Sequence, residues 1–229
     1  MLMDEVLHLQ RRGVRPSNSL TPRDCFLEQK VDATLPVLPD YPGRSCGPPV
    51  IPLMRTLGGE GMPARYQTLC FVFRRGDRGQ RQILLGRKKK GFGAGKIMGL
   101  GGHVDPGESE LDCALREVHE EAGIIIAPGS ATWRAEFDFV FPTRPEWNAI
   151  VTVFFGERWS GRVQGSEEIS PQWFDVDSPP FDQMWDDESY WLPRVLAGER
   201  LTGTITYDDS GTLVRRAELE PVERSSNSR

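Results

Sequence analysis

The sequence predicts an α/β fold, a mixed β-sheet flanked by helices. Three observations carry this: short β-prone apolar runs recur from residue 66 onward, two helical segments interrupt them, and two pairs of runs close as hairpins. The 229 residues are 38% hydrophobic and 27% charged, enough for one core, as one enzyme domain with an extension or as two small domains.

The chain changes character near residue 62. Residues 1–61 hold Pro16, Pro22, Pro36, Pro39, Pro42, Pro48, Pro49 and Pro52, with only Phe26 and Tyr41 as aromatics. Such a segment does not easily offset its ordering entropy by burial. It is expected to be a largely irregular extension, with room for a short helix at Asp4–Arg11. The codons of Gly58-Gly59-Glu60-Gly61 can spell a purine-rich ribosome-binding site before Met62. Two readings stand: a natural start at Met62, or a genuine N-terminal arm. Residues 62–219 are expected to form the folded domain and 220–229 a disordered polar tail.

Within the domain, Thr68–Phe73 reads as a strand, 74–79 as a turn and Gln82–Leu85 as the returning strand. A glycine-rich loop, Gly91–Gly95, leads to a short strand-loop at Met98–Val104. A helix is expected over Leu111–Ala122, with Gly123 as its C-cap. Trp133–Phe141 and Ile150–Phe155 read as strands joined by a turn at Pro142–Asn148. A second helix covers Asp186–Ala197. Leu201–Tyr207 and Thr212–Leu219 close the domain as a hairpin around Asp208–Gly211.

A net charge of −5 gives no bulk attraction to nucleic acid or to anionic membrane. Neither is expected as a partner, and a phosphate ligand must be met locally. The four cysteines form no C-x-x-C pair, which argues against zinc and against a disulfide framework. Cys70 and Cys113 read as small core residues. No apolar run approaches the roughly 20 residues that a membrane span requires. The acidic start, Met1–Glu5, is not followed by an apolar signal region. A reducing cytoplasm and a monomer are the expectations.

The chemistry lies in Gly102–Ile124, GHVDPGESELDCALREVHEEAGI. Asp105-Pro106-Gly107 is a turn. Leu111, Leu115, Val118 and Ala122 then make one apolar stripe on the helix. Glu117, Glu120 and Glu121 fall at i, i+3 and i+4, so three carboxylates project from a neighbouring face. Their repulsion costs a few tenths of a kcal/mol per pair. A bound divalent cation reverses that sign, and oxygen donors without His or Cys suit a hard ion such as magnesium or manganese. Alone, this spacing reads as an acidic solvated helix face. The whole segment, however, matches G-x5-E-x7-R-E-U-x-E-E-x-G-U at Gly102, Glu108, Arg116, Glu117, Val118, Glu120, Glu121, Gly123 and Ile124.

That pattern is the Nudix box, and the chain resembles the Nudix hydrolases. The resemblance implies an α/β/α sandwich with a mixed β-sheet and a loop-helix-loop catalytic motif. It implies that Glu117, Glu120 and Glu121 hold the metal with the carbonyl of Gly101, and that Arg116 orients Glu108. Glu120 and Glu121 both remain candidates for the general base. Metal-assisted in-line displacement at a diphosphate is the implied reaction.

From Arg65 to Leu219 the chain is similar to the MutT-homologue branch, the oxidised purine nucleoside triphosphatases. Leu84–Lys96 resembles the segment leading into that branch's base pocket, and Phe181–Trp191 its purine-reading segment. The resemblance implies that Trp185 stacks on the base, that Asp187 and Glu188 bond its edge, and that Glu168 lies near the metal. It places Thr68, Lys88, Phe92, Leu100, Gly101 and Gly102 at the substrate. His103 adjoins the phosphates. Met98 stands where relatives carry asparagine, so a base-edge donor is missing there. Glu188 stands for aspartate, one methylene longer. Two adjacent acids can share a proton and so donate to a carbonyl oxygen.

Blander readings accompany these. Trp185 and Trp191, at helical spacing, also read as core. Asp186-Asp187-Glu188 also reads as a helix start complementing the dipole. Lys88–Lys90 also reads as a solvated run. His103 and His119 are isolated and read as non-ligands. Gly91–Lys96 fails the phosphate-loop pattern at Lys90 and Ile97. 8-oxo-dGTP leads as substrate, with 2-oxo-dATP, O6-alkylated dGTP and ordinary purine triphosphates open. A Nudix enzyme for ADP-ribose or a dinucleotide, or a non-catalytic binding protein, are the alternatives.

Overall fold

The computed structural model describes residues 65–222 except Pro128. The proline-rich segment, the helix at Asp4–Arg11 and the start at Met62 lie outside the described residues. The strands are β1 (Arg65–Arg75), β2 (Arg81–Lys88), β3 (Ile97–Met98), β4 (Ile124–Ile126), β5 (Ala131–Val140), β6 (Ala149–Gly156), β7 (Trp159–Gly161), β8 (Ile169–Asp175), β9 (Leu201–Tyr207) and β10 (Val214–Pro221). The helices are α1 (Glu110–Ala122) and α2 (Glu188–Leu196). Short 3-10 turns occupy Pro145–Trp147 and Phe181–Gln183.

The main sheet runs β10-β9-β5-β6-β1-β2-β3, with β8 also paired to β2. β1 runs parallel to β6 and antiparallel to β2, and β5 is parallel to β9 and antiparallel to β6. The sheet is therefore mixed. The alternation of β1 shows why two helical layers are needed. Cys70 and Val72 point into a core shared with Ala114 and Val118 of α1. Phe71 and Phe73 point into the opposite core, shared with Trp191, Leu192 and Val195 of α2. With both faces covered, the central strand β6 is buried along its full length. This is the expected α/β/α sandwich.

Several expectations are corrected in detail. β4, β7 and β8 are additional strands; β4 and β7 pair as a separate ribbon. β10 continues through Glu220 and Pro221, so the expected disordered tail is strand at its first two residues. The buried side of α1 is Cys113, Ala114, Val118, Glu121 and Ala122, whereas Leu111 is 40% exposed. The stripe is rotated because Glu121 belongs to the buried side. Among the described residues, no helix is long and apolar enough to cross a membrane.

Candidate active site

The segment before α1 is fixed by its own side chains. Ser109 caps the helix by accepting from the Asp112 amide at 3.1 Å. Glu108 turns back to accept from the Asp105 amide at 3.1 Å. Arg116, two turns along, donates Nε and Nη2 to the two oxygens of Glu108 at 2.8 and 3.0 Å. This bidentate pair, foremost its hydrogen bonds, lowers the Glu108 pKa and raises that of Arg116. Arg116 also reaches Glu117 at 2.9 Å and Glu120 at 3.4 Å. At the other end Gly123 adopts φ +69° and donates its N–H to the His119 carbonyl. The expected C-cap is present.

The acidic face meets the backbone of Gly101 and Gly102. The Gly101 amide donates to Glu121 Oε2 at 2.9 Å. A Cβ on Gly102 would lie 2.3 Å from Glu117 Oε1, so that carboxyl rests on the glycine. Glu121 is pushed up to about 7, by burial first, with repulsion from Glu117 and Glu168 adding and the Gly101 amide and Lys88 opposing. Glu117 is raised for the same leading reason, opposed by Arg116. Among the described residues, no three His, Cys, Asp or Glu side chains converge into a ready-made metal site. Glu117 and Glu120 lean on Arg116 instead. The donors nevertheless fit a divalent cation. All are oxygens, two are held against the same glycine pair, and their mutual repulsion is what such an ion relieves.

Beside this face lies a cavity of about 560 Å³. Lys88, Met98, Gly101, Gly102, His103 and Glu168 line it, and Trp185, Phe92, Asp187 and Glu188 line it as well. Phe92 stacks on Trp185 with ring centroids 5.1 Å apart and 25° between planes. Gly93 passes so close that a Cβ would come within 2.9 Å of the Trp185 ring, and its φ is +77°. The glycine loop is tied to the Trp185 segment by Arg87 to Gln183 (2.6 Å) and by Lys96 to the Met184 carbonyl (2.9 Å). Trp185 thus stands outside α2 at the cavity, whereas Trp191 is wholly buried core.

Two residues placed at the substrate by resemblance sit behind the cavity lining. Thr68 and Leu100 are buried and do not line the cavity. The Thr68 hydroxyl meets the Cys113 thiol at 3.3 Å, and the Leu100 side chain joins the α1 core. They support the Gly101–Gly102 backbone from behind: a Cβ on Gly101 would strike the Thr68 carbonyl oxygen at 1.9 Å. His103 sits 3.1 Å from the Gln67 side-chain nitrogen, and its pKa is lowered by burial first, then by Arg65 and Lys88. Glu168 carries an ion pair with Lys90 at 3.5 Å.

Sequence reasoning missed Phe139, Phe141, Trp147 and Tyr207, which form the far wall of the cavity. Phe139 and Tyr207 come from β5 and β9, Phe141 directly follows β5, and Trp147 ends the 3-10 turn. Their alternating pattern signals only a buried sheet face. The one distinguishing mark was a tyrosine at the end of β9, whose hydroxyl needs a partner.

The NUDIX domain family matches residues 64–195. The oxidized purine nucleoside triphosphate hydrolase of Mus musculus is 38% identical over 151 residues, covering 66% of this chain and 92% of that protein. The protein of the same name from Danio rerio is 37% identical over 142 residues, 62% of this chain and 88% of its own length. Among solved structures, the mutator MutT protein from Bacillus halodurans superposes with a TM-score of 0.57 at 24% identity, over 68% of this chain and 97% of its own. That likeness shows the fold.

Proposed function

The chain belongs to the NUDIX family and is a hydrolase, and on that premise we propose that it cleaves purine nucleoside triphosphates with an oxidised base, 8-oxo-dGTP foremost, to nucleoside monophosphate and pyrophosphate. One observation carries the purine reading. Glu188 Oε1 is buried without a hydrogen-bond partner, and Glu188 lines the same cavity as Trp185. A buried orphan oxygen costs free energy unless a ligand satisfies it. A purine stacked on Trp185 would present its polar edge there. The oxidised base is what the names of the two relatives describe.

Nudix hydrolases work with a divalent metal, and we propose magnesium, with manganese able to replace it. When bound, the ion neutralises the diphosphate and polarises phosphorus. Glu117, Glu120, Glu121 and the Gly101 carbonyl would hold it, with Glu168 nearby. The chain's own groups do the rest. Lys88 meets phosphate charge in the cavity. Arg116 keeps Glu108 and Glu117 oriented. Glu120 or Glu121 takes the proton of the attacking water. We further propose action as a monomer in a reducing cytoplasm. The free Cys70 and Cys113 thiols are buried, pushed up to about 12 and about 11, chiefly by burial, which fits a reducing compartment. Residues 62–219 are proposed to carry the activity.

The test is the initial rate of pyrophosphate release with magnesium from 8-oxo-dGTP, dGTP and ADP-ribose, beside a Glu121→Gln control. A strong preference for 8-oxo-dGTP, lost in the control, is expected. Turnover of ADP-ribose alone would overturn the substrate.

A further inference from the structure

Asp187 and Glu188 lie side by side in the cavity wall, both almost wholly buried. Their hydrogen bonding is unequal. Trp191 Nε1 donates to Oδ2 of Asp187 at 2.8 Å, and the Tyr207 hydroxyl pairs with Oδ1. Glu188 accepts from the Trp185 amide on Oε2 at 3.0 Å, and its Oε1 has no partner. An indole N–H only donates, so Oδ2 of Asp187 can only accept. Burial and the neighbouring carboxylates push the Tyr207 phenol far up, so it keeps its proton and donates. A carboxylate that accepts from two donors is favoured as the anion, whereas two adjacent buried carboxyls cannot both ionise.

We propose that Tyr207 is a positioning residue that, together with Trp191, holds Asp187 as the ionised member of the base-facing pair and so leaves the pair's single proton on Oε1 of Glu188. This rests on the purine reading above. The groups around the pair agree. Burial, then repulsion from Asp187, raises Glu188, with the Trp185 amide and Lys96 opposing. Burial raises Asp187 too, with Asp186 adding, but Trp191 and Tyr207 both pull it down. The pair therefore presents one donor and one acceptor in fixed order. A 6-oxopurine edge offers an acceptor, O6, beside a donor, N1–H. A 6-aminopurine edge offers them reversed. For a base held in one pose by Trp185, the fixed order selects the 6-oxopurine.

Tyr207→Phe removes the donor and keeps the ring, which stacks on Phe141 at 4.5 Å and 9°. The probe is 8-oxo-dGMP, titrated onto the full-length chain by tryptophan fluorescence across a pH series, with dAMP alongside. Binding requires ionised Asp187, so it fails at low pH. Removing the Tyr207 donor destabilises that anion and moves the acid limb of binding upward by about one pH unit. Discrimination against dAMP falls about tenfold, the equivalent of that shift. Glu188→Gln cannot lose a proton and abolishes the alkaline limb. An acid limb unmoved in Y207F, with W185A and E188Q both altered, overturns the role of Tyr207 and leaves the purine reading intact. Binding by all three variants indistinguishable from the wild type overturns the purine reading itself.

Discussion

Glu121 occupies a contradictory position. It is 7% exposed, yet it is one of the carboxylates proposed to hold a cation. Its raised pKa, about 7, means that the metal-free fold binds a proton there which the unfolded chain has already released. Between the ordinary carboxylate value and about 7, the folded state holds more protons, so stability falls as pH rises. Glu121→Gln removes this liability. It should stabilise the metal-free protein above neutral pH by on the order of 3 kcal/mol at most, seen as a higher Tm, while pyrophosphate release collapses. An unchanged Tm across the pH series would show that the carboxyl is solvated. Trp185 answers to a different test. Stacking on one base contributes about 1–3 kcal/mol. Trp185→Ala should therefore raise KM for 8-oxo-dGTP by roughly five- to hundredfold and leave kcat within a few-fold, as steady-state kinetics would show. A loss confined to kcat would place Trp185 away from the base.

At the scale of elements, the glycines around α1 govern the geometry. Gly123 sits at φ +69°, where a side chain is strained, so Gly123→Ala should cost about 1 kcal/mol in chemical denaturation and little activity. Gly101→Ala differs in kind. Its Cβ would meet backbone, the Thr68 carbonyl oxygen, at 1.9 Å, with no flexible side chain to yield. That moves the amide on which Glu121 rests. Activity should fall by at least tenfold, a displacement effect read from kcat. Much of this was legible in the sequence. The family resemblance implied both the Arg116–Glu108 pair and the place of Gly101 beside the acids, and the pair is present. The face of α1 was not legible: Leu111 fits the apolar stripe by period, but the buried side includes Glu121, whose position is set by a backbone amide far away in sequence. β4, β7 and β8 were missed because two are only three residues long and β8 carries Pro171 and Gln172 within it. The wall residues Phe139, Phe141 and Tyr207 looked like core because the strand period reports burial and says nothing of a hollow beside it.

For the molecule as a whole, no three of the described carboxylates converge on one point. Glu117 and Glu120 both pair with Arg116. A divalent cation that binds only the folded state should therefore stabilise it by about 2.7 kcal/mol at a hundredfold excess over Kd, read as a Tm that rises with concentration. Chelation should abolish turnover, and magnesium should restore it. A Tm indifferent to magnesium would argue that the acidic face is merely solvated. The two cores also divide the labour. Phe71 and Phe73 face the aromatic side where the base would stack, while Cys70 and Val72 face α1 and its acids. On the proposed function, alternate residues of one strand would support base recognition and bond cleavage separately. Substitutions on the aromatic side would then re-tune which base is accepted without touching α1 and its carboxylates. A lineage built on this strand can change its diet without relearning how to cut.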